Sequence, residues 1–251
     1  MLWLERAFLG KPRALRFEAK TATRAGQILE RSSWGMLSGG NGWNLIYLFT
    51  APEALQGAAL LMRFRTPHEQ DSTWLYLPGF QRVLRIGAAV HKVLVPGTTL
   101  SYEDARGFIP TDHYRFSVYD TSANAARNDT LWIVAAPAAD SIRRNVGYGR
   151  LLIAVDRRRD LVTRVEFAGD DMRPLKSYRL LEAVRLEGTW LPARTRLDHF
   201  ENGMSSEITY RYWALRSRPP AVLFDPADER GPFLPRMLDA LRREKIPVDG
   251  Q

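Results

Sequence analysis

Acid and base side chains lie close together in this sequence at Glu103-Asp104 followed by Asp112-His113. A histidine beside carboxylates can move a proton near neutral pH, so Glu103, Asp104 and His113 are the first residues to test for catalysis. The same residues have a simpler structural reading. Ser101 can cap a short helical turn over Ser101 to Arg106, with Glu103 and Asp104 in its first turn, where exposed backbone N–H groups favour negative charge. The other chemistry is sparse. His68, His91, His113 and His199 share no ligand-like spacing, so no metal is expected. No serine sits in a Gly-x-Ser-x-Gly elbow, and the glycine-rich stretch from Gly35 to Gly42 lacks the Lys-Ser/Thr ending of a phosphate loop. That stretch reads as a hairpin turn. Cysteine is absent, which excludes disulfides, thiolate nucleophiles and cysteine zinc sites. No cofactor is expected.

The charge balance is 36 basic against 28 acidic residues, a net +8, and 31 of the basic residues are arginine. A cationic chain favours anionic partners without choosing among them. Arg143-Arg144 and Arg157-Arg158-Arg159 fall between predicted elements and lack interleaved aromatics. They read as solvated loops, and nucleic acid is not an expected partner.

The elements that must position any site are mostly strands. Short alternating runs separated by turn residues predict strands at Leu15 to Thr23, Trp43 to Thr50, Ala58 to Arg65, Thr73 to Leu77 and Arg82 to Ile86. Further strands are expected at Tyr114 to Tyr119, Thr130 to Ala135, Tyr148 to Asp156 and Leu161 to Phe167, then at Leu175 to Arg185, Thr189 to Phe200 and Ser205 to Ala214. Turns are expected at Ser38 to Gly42, Pro78-Gly79, Ala168 to Asp171 and Glu201 to Gly203. Helices are few: a short apolar one over Leu2 to Leu9, the turn at Ser101, and an amphipathic one over Phe233 to Glu244. No linker or repeat divides the chain, so residues 1–251 are expected to form one mainly β domain. Met1 to Gly10 is too short and too charged for a signal-peptide core, and the longest apolar runs fall far short of a membrane-spanning helix.

Alternation along three strands gathers large apolar residues. Trp43, Tyr47 and Phe49 share one face of their strand, and Leu60, Met62 and Phe64 share one face of the next. Trp74 and Tyr76 share one face of the third. Such a face belongs to an ordinary core, or the sheet closes on itself, dimerises or holds an apolar ligand.

Several segments, in order, resemble one family. Phe49-Thr50-Ala51-Pro52 precedes Gly57-Ala58-Ala59-Leu60-Leu61. Thr73-Trp74-Leu75-Tyr76-Leu77-Pro78 with Arg82-Val83-Leu84-Arg85-Ile86 is similar to the family's W-L-Y-L-P…R-R-V-R-R-I hairpin, and Leu100-Ser101-Tyr102-Glu103-Asp104 to its F-[ST]-Y-E-D segment. Thr189-Trp190-Leu191-Pro192 resembles its late W-x-P hairpin. Together they resemble the outer-membrane lipoprotein-sorting protein family, the LolA-like proteins associated with RND/MMPL-type exporters. Where that family has a run of small residues before the tyrosine, this chain has Val93 to Thr99. The resemblance implies a single curved antiparallel sheet, an incomplete barrel of about eleven strands with a few lid helices. It also implies a periplasmic, non-enzymatic carrier or chaperone for lipid or lipoprotein acyl chains on the way to the outer membrane. Trp43, Tyr47, Phe49, Leu60, Met62, Phe64, Trp74 and Tyr76 would then line its cavity. An exporter or an outer-membrane acceptor would be the partner, with peripheral membrane contact. The alternatives are an envelope scaffold subunit of an exporter, or a small-molecule enzyme on the same fold with Glu103, Asp104 and His113 at its site.

Overall fold

The computed structural model describes residues 11–38, 43–65, 71–87, 91–106, 109–119, 129–226 and 233–248. In chain order these give β1 (Arg13–Ala22), β2 (Ile28–Ser38), β3 (Trp43–Ala51), β4 (Ala59–Phe64), β5 (Ser72–Leu77) and β6 (Arg82–Ile86). Next come β7 (Tyr114–Val118), β8 (Thr130–Pro137), helix α1 (Asp140–Val146), β9 (Arg150–Asp156) and β10 (Leu161–Ala168). The chain ends with β11 (Pro174–Leu186), β12 (Thr189–His199), β13 (Met204–Ala214) and helix α2 (Phe233–Arg243). All thirteen strands join one antiparallel sheet in the order β6-β5-β4-β3-β2-β1-β13-β12-β11-β10-β9-β8-β7. Its two end strands, β6 and β7, do not pair with each other, so the sheet is open. The mainly β, unclosed sheet with few helices is the architecture expected, with two strands more than the resemblance implies.

β2 is the strand the sequence hides. No strand is predicted over Ile28 to Trp34 and the stretch from Gly35 is expected to be a hairpin turn, yet Gly35 to Ser38 lies within the strand. The reason is a close approach. A Cβ at Gly35 would stand 2.7 Å from Leu15 Cγ of β1, so only glycine lets the Leu15 side chain cross there. The helix predicted over Leu2 to Leu9 and the core of the Ser38 to Gly42 turn lie outside the described residues. α1 was not anticipated. Asp140 opens it, Arg143 and Arg144 close it, and Gly147 at φ 76° returns its N–H to the Arg143 carbonyl. Among the described residues no helix is long and apolar enough to cross a membrane.

The chain divides into two compact units. One comprises residues 9–18, 30–87 and 210–251. Its core gathers Trp34 and Met36 of β2, Ile46 and Leu48 of β3, and Ala59 and Leu61 of β4, which pack against Met237, Ala240 and Leu241 of α2. Leu223 and Phe224 from the 3-10 turn Ala221–Phe224 complete it. Arg63 fixes that turn by donating to the Phe224 carbonyl at 2.7 Å while lying 5.2 Å over the Trp74 ring. The other unit comprises residues 1–8, 19–29 and 88–209. Its core is built on Ile133 and Ala135, Leu151, Ile153 and Val155, and Val165 and Phe167, from the successive strands β8, β9 and β10. α1 adds Val146, and the turn after it adds Tyr148.

Candidate functional site

Register settles which of the eight predicted lining residues share a face. Tyr47 stands opposite Leu60, and Leu45 opposite Met62, while Trp43 occupies the position opposite Phe64. Phe49 follows Tyr47 on the same side of β3, because alternate residues of a strand share a face. Leu60, Met62 and Phe64 are sealed from solvent, and Phe49 is nearly so. Trp74 and Tyr76 belong elsewhere. They stand opposite Leu61 and Ala59, whose own partners on β3 are Ile46 and Leu48. Both rings therefore pack with the α2-covered core on the reverse face. Parity within a strand was legible from the sequence, but the β4–β5 connection shifts it by one, which sends the whole of β5 to the other side.

Three aromatics that sequence reasoning did not select extend the Tyr47 face. Phe17 of β1 lies 6.1 Å from Tyr47 and 5.7 Å from Tyr210 of β13, and Tyr210 stacks on Tyr212 at 6.1 Å. Their signal was the alternation Tyr210-x-Tyr212. Burial, with Tyr210 adding to it, pushes the Tyr47 hydroxyl far above its ordinary value, so it stays a neutral phenol. The unit thus has two apolar faces, one closed by α2 and one built on aromatic and methionine side chains that are themselves mostly buried.

The acid–base residues sit in the other unit. Segment 91–106 folds back on itself: Val95 N–H donates to Leu100 O at 2.7 Å, and Tyr102 N–H to Val93 O at 3.0 Å. A 3-10 turn follows at Asp104–Arg106. The Ser101 cap is present and reciprocal. Asp104 N–H donates to Ser101 Oγ at 3.1 Å, and Ser101 N–H donates to Asp104 Oδ2 at 2.7 Å. Asp104 does more than cap. It accepts the Tyr148 hydroxyl at 3.0 Å and forms an ion pair with Lys176 of β11, whose side chain is 2% exposed. Lys176 also donates to the Tyr148 oxygen and lies 4.6 Å over the Phe167 ring. Burial, then the Asp104 charge, raises the Tyr148 hydroxyl well above its usual range.

Glu103 is matched separately. Burial alone would raise its carboxyl, but Arg106 at 3.1 Å and His91 at 3.3 Å outweigh burial and hold it at about 2. His113 acts on the same carboxylate. Two buried carboxylates therefore face two buried cations, Arg106 and Lys176, with His91 and His113 beside Glu103. His199 faces Lys176 across the strand pair, and burial followed by that charge lowers its pKa. Hydroxyls secure the rest of the segment: Thr99 N–H donates to Ser206 Oγ at 2.9 Å, and Ser206 shares a 2.7 Å hydrogen bond with Thr21.

The structure thus does bring Glu103, Asp104 and His113 together, in a charge-matched interior. Each carboxylate is paired with a cation, and the Asp104–Lys176 pair ties segment 91–106 to β11. Lys176 was invisible in the sequence because one lysine in an alternating strand reads as a solvent position. Among the described residues no group of three or more acidic, histidine or cysteine side chains is arranged to hold a metal ion. Many surface arginines are also committed. Arg158 pairs with Asp129 at 2.8 Å, Arg159 lies 5.2 Å over Trp190, and Arg194 bridges Glu182 and Glu207.

Three solved structures have this architecture over most of their length. A DUF1329 family protein from Desulfovibrio piger ATCC 29098 superposes with a TM-score of 0.77 at 17% identity, covering 88% of this chain and 92% of that one. An outer membrane lipoprotein-sorting protein domain from Vibrio parahaemolyticus gives 0.72 at 20% identity, with coverage of 83% and 88%. A LolA superfamily protein from Nitrosomonas europaea gives 0.66 at 20% identity, with coverage of 89% and 96%. The fold is that of the LolA-like lipoprotein-sorting proteins, as the motifs implied. A comparison with curated proteins gives no match. The chain itself belongs to the family whose model, described as "Uncharacterized protein", matches residues 43–228.

Proposed function

We propose that this protein is a non-enzymatic periplasmic carrier or chaperone that shelters lipid or lipoprotein acyl chains for transport toward the outer membrane. The observation that carries the reading is the second apolar face, built from Tyr47, Phe49, Leu60, Met62 and Phe64 and extended by Phe17 and Tyr210. It is separate from the face that α2 closes. Flexible methionine and flat aromatic rings suit a surface that must fit a disordered chain. Trp43 stands opposite Phe64 in the register, whereas Trp74 and Tyr76 belong to the α2 core and are left out of the proposed lining.

Energetics favour loading. Each methylene taken from water contributes about 0.8 kcal/mol, so ten of them supply about 8 kcal/mol before ordering costs. Protein residues that are already sealed add little to that sum, because their own area leaves water on folding. Tyr47, which is half-buried, is therefore the most informative position to change. An RND/MMPL-type exporter and an outer-membrane acceptor are the donor and recipient this reading calls for.

The test is native mass spectrometry with lipid extraction on protein purified from a periplasmic expression host. Wild type should carry a discrete lipid adduct, and Tyr47→Gln should lose most of it while keeping its far-UV spectrum. A wild-type protein free of lipid, or a Tyr47→Gln protein loaded as fully as wild type, would overturn the assignment. Phe64→Asp is a poorer test, since a charge at a 1% exposed position threatens the fold itself.

A further inference from the structure

The β5–β6 hairpin, which carries the most specific sequence motif, has no part in the proposed lining. It ends the sheet, because β6 has only β5 as a neighbour. Its tip is the 3-10 turn Pro78–Phe80, closed by Gln81 in a left-handed conformation at φ 48°. Phe80 is 74% exposed there, and Leu84, across the pair from Leu75, is 48% exposed. Leu77 stands opposite Arg82, so Leu75, Leu77, Leu84 and Arg82 share one side. Arg82 and Arg85 are both exposed, and from Ser72 to Gly87 the sequence contains no acidic residue. The adjoining 3-10 turn contributes Glu53, the one carboxylate on that element.

Arginines on an edge strand discourage edge-to-edge pairing, and that accounts for β6 alone. It does not account for a phenylalanine held out in water at the tip of a tight turn. An exposed aromatic tip, flanking leucines and a pair of exposed arginines is the composition of an element that sits at a membrane interface. We infer that the Pro78–Phe80 tip docks this protein on an anionic phospholipid surface, with Phe80 entering the acyl boundary and Arg82 and Arg85 meeting the headgroups. Charge complementarity selects the anionic bilayer over a neutral one. The inference goes beyond the carrier reading and does not depend on what the β3–β4 face binds.

The test is flotation of the full chain with vesicles of phosphatidylcholine alone, or of phosphatidylcholine with phosphatidylglycerol. Wild type should partition onto the phosphatidylglycerol vesicles, and less so as salt is raised. Phe80→Ser should reduce partition about tenfold. Arg82→Gln with Arg85→Gln should reduce it by about fivefold per arginine on the anionic vesicles and leave neutral vesicles unchanged. All three positions are exposed, so thermal melting should not move, and that control separates lost docking from lost folding. No partition of wild type onto either vesicle, as expected if the tip meets a protein instead, would overturn the inference. Partition equal in wild type and Phe80→Ser would do the same. Vesicle binding by protein that carries no co-purified lipid would leave the docking surface standing and remove the carrier reading; the reverse result would separate them the other way.

Discussion

Glu103 offers the sharpest test of whether the charge-matched interior holds segment 91–106 in place. Its carboxyl is held at about 2 against an ordinary value of 4.5, by Arg106 and His91 acting against burial. In the unfolded chain those partners are gone and the ordinary value returns. A depressed folded value means that the carboxylate's contribution to stability is fully present above about pH 4.5 and is lost as pH falls toward 2. The size is 4.5 less about 2, at 1.36 kcal/mol per pH unit, or about 3 kcal/mol. Glu103→Gln removes the titrating group and leaves the shape. Urea unfolding of wild type and variant should therefore show a gap of about 3 kcal/mol at pH 7 that closes steadily below pH 4.5. Other carboxylates titrate in the same range, but they are common to both proteins and cancel in the difference. Amide exchange over residues 91–106 should quicken in the variant at neutral pH, since the loss is local before it is global. A gap that stays constant from pH 6 to pH 3, with unchanged exchange in that segment, would refute the account.

Two further outcomes follow from named contacts. Lys176→Met leaves Asp104 a buried carboxylate without its cation, and should destabilise the protein by about 3–5 kcal/mol in chemical unfolding. Adding Asp104→Asn should return part of that loss, and strict additivity of the two changes would show that the pair is not coupled. Gly35→Ala should cost about 1–3 kcal/mol from crowding of Leu15, and Leu15→Ala in the same protein should relieve the crowding. If Gly35→Ala melts with wild type, the close approach of β1 and β2 is not what requires glycine.

The strands were largely legible because a pleated strand writes its two faces into the sequence with period two. β3, β4, β6, β9 and β12 lie within a residue or two of where alternation and turn residues predicted them. β2 was lost because the glycines from Gly35 onward mimic a turn; the reason for glycine at Gly35 is a neighbour in space, Leu15, that local pattern cannot reveal. Which large apolar residues share a face was legible strand by strand but not between strands. Nothing in the sequence near His68 fixes whether Trp74 continues the face of Phe64 or reverses it, and it reverses. The polar cluster was half legible. Ser101 and Asp104 read as a cap, and they are one. The counter-charge for Asp104 comes from a residue 72 positions away, a separation across which single-sequence patterning carries no signal.

The two apolar faces of β3 and β4 also bear on how such a protein can change over generations. Ile46, Leu48 and Leu61 answer to α2, while Tyr47, Leu60 and Met62 answer to the other side of the same strands. Alternate residues of one strand thus answer to separate neighbours: a change at one set is felt by the helix, and a change at the other is felt on the opposite face. Odd and even positions of a nine-residue strand can drift at different rates. On the carrier reading proposed above, a lineage could exchange one cargo for another without renegotiating its fold.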